Sequence, residues 1–216
     1  MDFMFRHFLI KYSEAIHIEN FIKKGQMCLQ PLSYYRNSEH NEEVGDLNEG
    51  AHKVKAFSKA TVSRVLDNGE TELVGEITDG MHREFSHEYA SLSVYCLYYL
   101  IIPVNEYKNE LDAINENLLN KFGGSAIVIY NLESFFERLD NYLKSKSLSY
   151  KRQSIEYIDI EKHTQKLTPF QKDNKYEHQN ELRLAVINEI EDGRMLFEIG
   201  NLGDIAYTVT TGEQSI

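Results

Sequence analysis

The chain has 216 residues, of which 42% are apolar and 26% are charged, with 14 tyrosines and 11 phenylalanines. This composition supplies enough apolar surface for a core and excludes a disordered or collagen-like protein. The formal net charge of −11 argues against a general nucleic-acid binder, because affinity for a phosphate backbone comes mainly from lysine and arginine.

Two features bear on location and redox state. The longest apolar run, 94–104, is shorter than the roughly 18 to 20 apolar residues of a membrane span. Asp2 and Arg6 interrupt the N-terminus where a signal peptide would carry its apolar segment. We therefore expect a cytoplasmic chain. Cys28 and Cys96 have no metal-ligand spacing and are expected to be reduced thiols in the core.

The chain is predicted to open with a strand, a helix and a second strand. Bulky residues alternate from Phe5 to Tyr12, which is typical of a strand. Ser13 is expected to cap a helix that ends at Gly25, and Gln26 to Gln30 follows as a short strand.

An acidic stretch follows at residues 38–50, which contain no lysine or arginine. Together with His40, its carboxylates offer ligands for a divalent metal, which would serve a phosphodiesterase or nuclease. The alternative is a solvated acidic loop, and we assign no metal ligand. The acids are Glu39, Glu42, Glu43, Asp46 and Glu49.

The middle of the chain predicts a hairpin and a buried strand. Lys53 to Val65 and Thr71 to Thr78 are β-like and flank a turn at residues 67–70. Leu92 to Val104 is rich in β-branched and aromatic residues, which favours a strand in the middle of a sheet, buried on both faces.

Helices and strands alternate in the following segment. Asn105 to Phe122 is predicted to be a helix, and Ala126 to Tyr130 a buried strand. Asn131 should cap a second helix that runs to about Ser145. Tyr150 to Ile160 alternates in the manner of a strand.

The last two strands, Glu181 to Asn188 and Met195 to Ile199, are expected to pair across Gly193. No repeat or linker divides the chain. We therefore predict a single α+β domain over residues 1–216, with a mixed, curved β-sheet flanked by helices.

The charge is uneven along the chain. Residues 144–175 contain eight basic residues and four acids, a net +4, so the remainder carries about −15. This stretch could provide a local basic face for a phosphate-bearing ligand. The alternative is an ordinary solvated surface.

The strand that begins at Glu181 carries the strongest chemical signal. In an extended chain Gln179, Glu181 and Arg183 project to one face, while Leu182 and Leu184 project to the other. A carboxylate there could stabilise positive charge on a sugar carbon, and the amide could orient a nucleophile. The alternative is a surface strand with an internal Glu and Arg pair.

Two further groups are candidates for ligand contacts. Ser91 and Ser93 begin the long apolar strand, where hydroxyls can hold a ribose or an amide, although they can also be ordinary strand-start residues. Arg6 and His7 lie on the first strand, where an arginine would suit a ligand phosphate. The alternative for Arg6 is a surface role.

In chain order these pieces resemble the ADP-ribosyltransferases, which carry an Arg or His on the first strand, then Ser-x-Ser, then Gln-x-Glu or Glu-x-Glu. The resemblance implies NAD as the substrate, with Glu181 as the catalytic carboxylate and Gln179 beside it. An unidentified macromolecule would be the acceptor. The positions assigned to NAD binding are Arg6, His7, Ser91, Ser93, Arg183 and Tyr35.

A second resemblance covers more of the chain. Four segments are similar to a family of uncharacterised bacterial and phage proteins: Lys-Gly-Gln-Met-Cys-Leu at 24–29, Ser-Tyr-Tyr-Arg-Asn at 33–37, Gly-Asp-Leu-Asn-Glu-Gly at 45–50 and the segment 175–183. This resemblance implies a shared fold without an established activity. A non-catalytic bacterial or phage accessory protein that acts by binding a partner protein therefore remains a third function class.

Overall fold

The computed structural model describes residues 4–36, 44–107, 114–163, 165–187 and 193–211. These residues form an α+β fold with an eight-stranded main sheet and two separate two-stranded sheets. The α+β class is confirmed. The prediction of a mixed sheet is wrong for the main sheet, because all of the described strand pairs in that sheet are antiparallel. No helix within the described ranges has the length and apolar character needed to cross a membrane.

The first three elements follow the sequence closely. They are β1 (Phe5–Glu14), α1 (Ala15–Lys24) and β2 (Gln26–Pro31). Ser13 is not the helix cap, because β1 continues through it and the N-cap residue, Glu14, makes no side-chain cap bond. Gly25 ends α1 with a φ of 61°, a conformation that favours glycine.

The predicted hairpin is confirmed and is longer than expected. It comprises β3 (Ala51–Val65) and β4 (Thr71–Phe85), which form their own sheet. Its base packs in a small cluster with Ile160 and Leu167. Every described residue from 59 to 78 is exposed or half-buried, and we call this outer part of the hairpin the arm.

After the short helix α2 (His87–Ala90), β5 (Leu92–Pro103) forms the centre of the main sheet, as predicted. One edge of β5 pairs first with β2, through Val94, and then with β1, from Tyr98 onward. The ladder on this edge is interrupted over residues 95–97. We call this interruption the strand gap.

The helix predicted from Asn105 to Phe122 is wrong in extent. Residues 104–106 form a turn, and the described helix is only α3 (Glu116–Lys121). The Asn115 side chain accepts hydrogen bonds from the first turn of α3 and so sets its start. Residues 108–113 of the predicted helix lie outside the described ranges.

The next strand and helix agree with the prediction. They are β6 (Gly124–Ile129) and α4 (Leu132–Ser145), and Asn131 caps the helix by accepting a hydrogen bond from Ser134 N. The helix buries Phe135, Leu139 and Leu143 in its predicted apolar stripe.

The single strand predicted from Tyr150 to Ile160 is divided. The first part, β7 (Tyr150–Ser154), joins the main sheet, whereas β8 (Glu156–Ile158) pairs in parallel with β9 (Gln171–Asp173). The chain leaves the main sheet at Ile155, which is buried under it.

The last strands are β10 (Glu181–Ile187), β11 (Met195–Glu198) and β12 (Ala206–Thr210). The predicted pairing of β10 with β11 is wrong. β10 lies between β5 and β7, and β11 pairs with β2 at the far edge of the sheet. Ser93 helps to hold this region, because its hydroxyl donates to the carbonyl of Gly193.

The core occupies both faces of the main sheet. Alternation along β1 sends Leu9 to the face covered by α1 and α4, and sends Phe8 and Ile10 to the face covered by α3. The strand gap therefore lies between two packed layers, where a break in the sheet opens a path from one layer to the other.

Candidate functional site

Four charged side chains are buried together beside the strand gap. Arg183 is 1% exposed, Glu49 3%, Glu181 5% and Lys172 8%. Arg183 donates through Nη1 and Nη2 to the two Glu49 oxygens at 2.7 and 2.9 Å, and through Nε to Glu181 Oε1 at 2.7 Å. Lys172 Nζ donates to Glu181 Oε2 at 2.7 Å. These four residues, named the ionic cluster, balance two cations against two carboxylates.

Strand alternation positions half of the ionic cluster. As predicted, Leu182 and Leu184 of β10 face the core layer beneath α1 and α4. Glu181 and Arg183 therefore face the opposite side, where they are buried rather than exposed as the surface-strand alternative required.

A turn over residues 45–50 supplies Glu49. Asp46 N donates to Tyr35 O at 2.8 Å, and the Asp46 carboxylate accepts from Asn48 N at 2.9 Å. Glu49 N closes the turn on Asp46 O. The Gly-Asp-Leu-Asn-Glu-Gly motif and the Gln-x-Glu-x-Arg motif, distant in sequence, therefore meet in one buried contact.

Asn180 sets the direction in which β10 begins. It follows a 3₁₀ helix (Asn174–Gln179) and has a φ of 38°, which asparagine tolerates better than most residues. Its side chain donates to Tyr99 O, and its own carbonyl accepts from Tyr99 N at 2.8 Å. This anchoring directs Glu181 into the ionic cluster, and Gln179 Oε1 accepts from Lys172 at 3.0 Å.

Electrostatics keep the ionic cluster charged. Burial acts to raise the pKa of Glu181, but Arg183 and Lys172 outweigh it and hold the pKa well below its usual range. Burial likewise acts to lower the pKa of Lys172 and Arg183, yet the carboxylates of Glu181 and Glu49 raise both. Glu181 is therefore an ionised carboxylate at neutral pH.

A cavity of about 520 Å³ occupies the strand gap. Its lining includes Phe21 and Tyr95 from one core layer and Tyr12 and Phe122 from the other, so it passes through the sheet. Part of its wall is the ionic cluster, through Lys172, Glu181 and Arg183. The cavity combines aromatic surface with fixed charges, as small-molecule sites commonly do.

Lys11 lies where the two layers meet. Its Nζ donates to the carbonyl of Cys96 at 3.0 Å and lies 4.6 Å from the centre of the Tyr95 ring. Cys96 falls within the strand gap, so the lysine replaces the strand partner that its carbonyl lacks. Burial lowers the pKa of Lys11.

The thiols differ from the expected core cysteines. Cys28 and Cys96 are free, as predicted, but both are half-buried and line the cavity. Burial raises the pKa of Cys96 to about 12, so this thiol stays protonated and unreactive.

Four of the predicted site residues line this cavity: Gln179, Glu181, Arg183 and Tyr35. Burial raises the pKa of Tyr35 well above its usual value, so its hydroxyl is neutral. Such a phenol can donate a hydrogen bond to a ligand.

Arg6 and His7 lie elsewhere, in a second pocket of about 530 Å³ on the outer part of β1. The Arg6 guanidinium lies 4.6 Å from the centre of the Tyr107 ring, and His7 Nδ1 is hydrogen-bonded to Tyr99 Oη at 2.6 Å. Neither side chain lines the strand-gap cavity.

The serine pair is also remote from Arg6. Ser91 donates to Glu88 O, and Ser93 is buried. Arg6 lies opposite Ile102 of β5, nine residues from Ser93, which is roughly 30 Å along an extended strand. The structure does not bring the three predicted groups into one cleft.

The acidic stretch divides between described and undescribed residues. Glu39, His40, Glu42 and Glu43 lie outside the described ranges, whereas Asp46 and Glu49 face inward. Within the described ranges, no group of three or more His, Cys, Asp or Glu side chains could hold a metal ion.

Sequence reasoning missed Lys172 and Lys11. Lys172 was counted in the basic stretch at 144–175, and Lys11 was an ordinary strand position. A lysine signals its burial only when its carboxylate partners are known, and those come from distant segments. No protein-family model matches this chain, and neither curated proteins nor solved structures show a significant match to it.

Proposed function

We propose that the chain binds NAD in the strand-gap cavity and cleaves the bond between ribose and nicotinamide, as an ADP-ribosyltransferase-like protein with an unidentified acceptor. The observation that carries this proposal is the ionised carboxylate of Glu181 in the cavity wall, with the Gln179 amide beside it. The resemblance of the sequence motifs supports the same reaction and an ADP-ribosyltransferase-like fold.

The reaction develops positive charge on the ribose carbon as nicotinamide leaves. A fixed carboxylate stabilises that charge without having to reorganise. Glu181 accepts from Arg183 at one oxygen, from Lys172 at the other and also from the Cys96 thiol, and a carboxylate has about four acceptor sites. Acceptor capacity therefore remains for a substrate, while the two cations hold the carboxylate in place.

The remaining walls suit the other parts of NAD. Tyr34, Tyr98 and Phe122 line the cavity and provide aromatic surface for a planar ring. Arg194 also lines it and provides a cationic group for the pyrophosphate. In this proposal Arg6, His7, Ser91 and Ser93 do not contact NAD, because they lie outside the cavity.

The test is nicotinamide release from NAD, measured with the wild-type chain and with Glu181→Gln. We expect release by the wild type and a loss of 100-fold or more, an order of magnitude typical of electrostatic groups, in the variant. Glu177→Gln is the matched control, because Glu177 is an exposed carboxylate in the preceding 3₁₀ helix. Circular dichroism checks the fold, and Gln179→Ala offers a second, uncharged probe. No release by the folded wild type with any acceptor would contradict the proposal.

The arm favours a second candidate, a non-catalytic protein that binds a protein partner. Five large apolar residues of the arm are 39% to 71% exposed, and an isolated two-stranded ribbon is marginally stable in water. Replacing residues 59–78 by Asn-Gly should abolish capture of that partner in a pull-down, whereas Glu181→Gln should retain it. The five residues are Val62, Val65, Leu73, Val74 and Ile77.

A further inference from the structure

The half-buried Lys11 lines the strand-gap cavity, and no carboxylate among the described residues pairs with its amine. Among the described residues, its polar contacts are the Cys96 carbonyl and the face of the Tyr95 ring. Lysines at protein surfaces instead keep their ammonium group in water, and buried ones are normally paired with an acid.

The carboxylate of Glu181 is already paired with other cations. The acid that acts on Lys11, Glu181, is hydrogen-bonded by Arg183 and Lys172 instead. The backbone carbonyl of Cys96 accepts from Lys11, and the thiol of Cys96 is neutral. Burial outweighs the opposing effect of Glu181 and lowers the pKa of Lys11, which favours the uncharged amine.

We propose that Lys11 is a nucleophile that forms an imine with an aldehyde-bearing ligand in the strand-gap cavity. The Nζ lone pair attacks the carbonyl carbon and forms the carbon–nitrogen bond. The two amine protons pass to the former carbonyl oxygen, which leaves as water while the imine double bond forms. The step needs neither oxidant nor reductant.

The cavity suits a planar aldehyde that carries an anionic group. Tyr95 lies against the Lys11 amine, and Tyr98 and Phe122 extend the aromatic wall. Arg194 lines the same cavity and supplies a cation for the anionic group. The volume of about 520 Å³ accommodates a single ring with its substituents.

Pyridoxal 5′-phosphate is the probe, because it combines an aldehyde, an aromatic ring and a phosphate. The full-length chain is incubated with less than one equivalent at neutral pH, reduced with borohydride and mapped by peptide mass spectrometry. We expect clearly more label at Lys11 than at the exposed Lys55, because the uncharged amine is the nucleophile and burial lowers the pKa of Lys11. Label distributed according to exposure, or absent from Lys11, would overturn the proposal.

Lys11→Arg is the informative variant, because arginine keeps a hydrogen-bond donor and a positive charge but cannot form an imine. It should lose the specific label, whereas Lys55→Arg should retain it. A measurement on the wild type alone covers the case in which Lys11→Arg misfolds. The labelling rate of Lys11 against pH should reach its plateau at lower pH than that of Lys55, and identical profiles would contradict the proposal.

The proposed imine site shares its cavity with the proposed NAD site but not its chemistry. Nicotinamide release tests Glu181, and imine trapping tests Lys11. If the chain traps the aldehyde at Lys11 but leaves NAD intact, the imine proposal is supported and the NAD reaction is excluded. A chain that releases nicotinamide without Lys11 labelling would give the reverse result.

Discussion

Arg183 and Glu49 form a two-bond ion pair between residues 134 positions apart in the sequence. The pair joins the turn at 45–50 to β10, and the Glu181 carboxylate shares the same guanidinium. A buried pair of this kind contributes little net stability over an apolar replacement of both partners, but the loss of one partner leaves an uncompensated charge. The position of the whole site therefore depends on Arg183.

Arg183→Leu should lower the free energy of unfolding by about 3–5 kcal/mol, because it leaves Glu49 and Glu181 short of a cation in the interior. Urea unfolding followed by circular dichroism measures the change. The control is Arg64→Leu, which removes the exposed pair with Glu72 on the arm and should cost less than about 1 kcal/mol. Equal effects of the two substitutions would show that the buried pair is not special.

Stability should decrease in acid because of Glu181. The pKa of this carboxyl is lower in the folded chain than the roughly 4.3 of an unfolded one. Its contribution is therefore complete above about pH 5 and is lost as the pH falls towards the folded pKa. Urea unfolding at several pH values measures this, and Glu181→Gln should flatten the acid side of the profile. An unchanged slope would contradict the assignment. Asp46 should change the dependence of stability on pH in the opposite direction, because burial raises its pKa.

Stability should also decrease at high pH. The pKa of Lys172 is raised above the roughly 10.4 of an unfolded lysine by Glu181 and Glu49, which outweigh the effect of burial. Its contribution is complete below that value and is lost as the pH rises through the folded pKa. Lys172→Met should therefore reduce stability at neutral pH and weaken the alkaline decline. Lys144 is exposed, so Lys144→Met serves as the control. Urea unfolding of this variant at several pH values should give the same dependence of stability on pH as the wild type.

Substitutions at two glycines with positive φ distinguish the cost of backbone strain from the cost of steric overlap. A Cβ at Gly25 would overlap the backbone of Gly200, whereas a Cβ at Gly69, with a φ of 84°, would meet nothing within 4 Å. Gly69→Ala should cost about 1–2 kcal/mol, the usual cost of a left-handed conformation. Gly25→Ala should cost more than Gly69→Ala in thermal unfolding. A smaller loss at Gly25 would mean that β11 and its neighbours move without cost.

Removal of the arm should leave the body intact. Replacing residues 59–78 by Asn-Gly retains the hairpin base, where Ala51 and Val54 pack against Ile160 and Leu167. Since no residue of the arm is buried, we expect a change of less than about 1 kcal/mol in urea unfolding. A larger loss would indicate that the arm packs on the body in solution.

Local patterns account for the elements that were predicted well. Asn131 begins α4 through a side-chain cap, and the composition of Leu92–Pro103 places it at the centre of the sheet. Such signals act within a few residues of one another. Where two local signals competed, the prediction was wrong. Ser13 lies within β1 and does not cap α1. Asn115 caps α3, so this helix begins later in the chain than expected.

The candidate site was predictable only in part. Alternation correctly placed Glu181 and Arg183 on one face of β10. Their burial was not predictable, because it depends on Glu49 and Lys172, which arrive from a turn and from β9. The pairing of β11 with β2 and not with β10 was likewise a matter of strand order.

The sequence by itself determined an acidic α+β chain, a β-hairpin, a central strand and a Glu and Arg pair on one strand face. These features depend on composition and on periodicities that operate within a single element. Only the tertiary structure decided that β1 and β2 separate along one edge of β5, and that Lys11 and the ionic cluster border the resulting cavity. The physical reason is that a cavity and a buried charge are defined by partners distant in sequence, whose meeting depends on strand order and register.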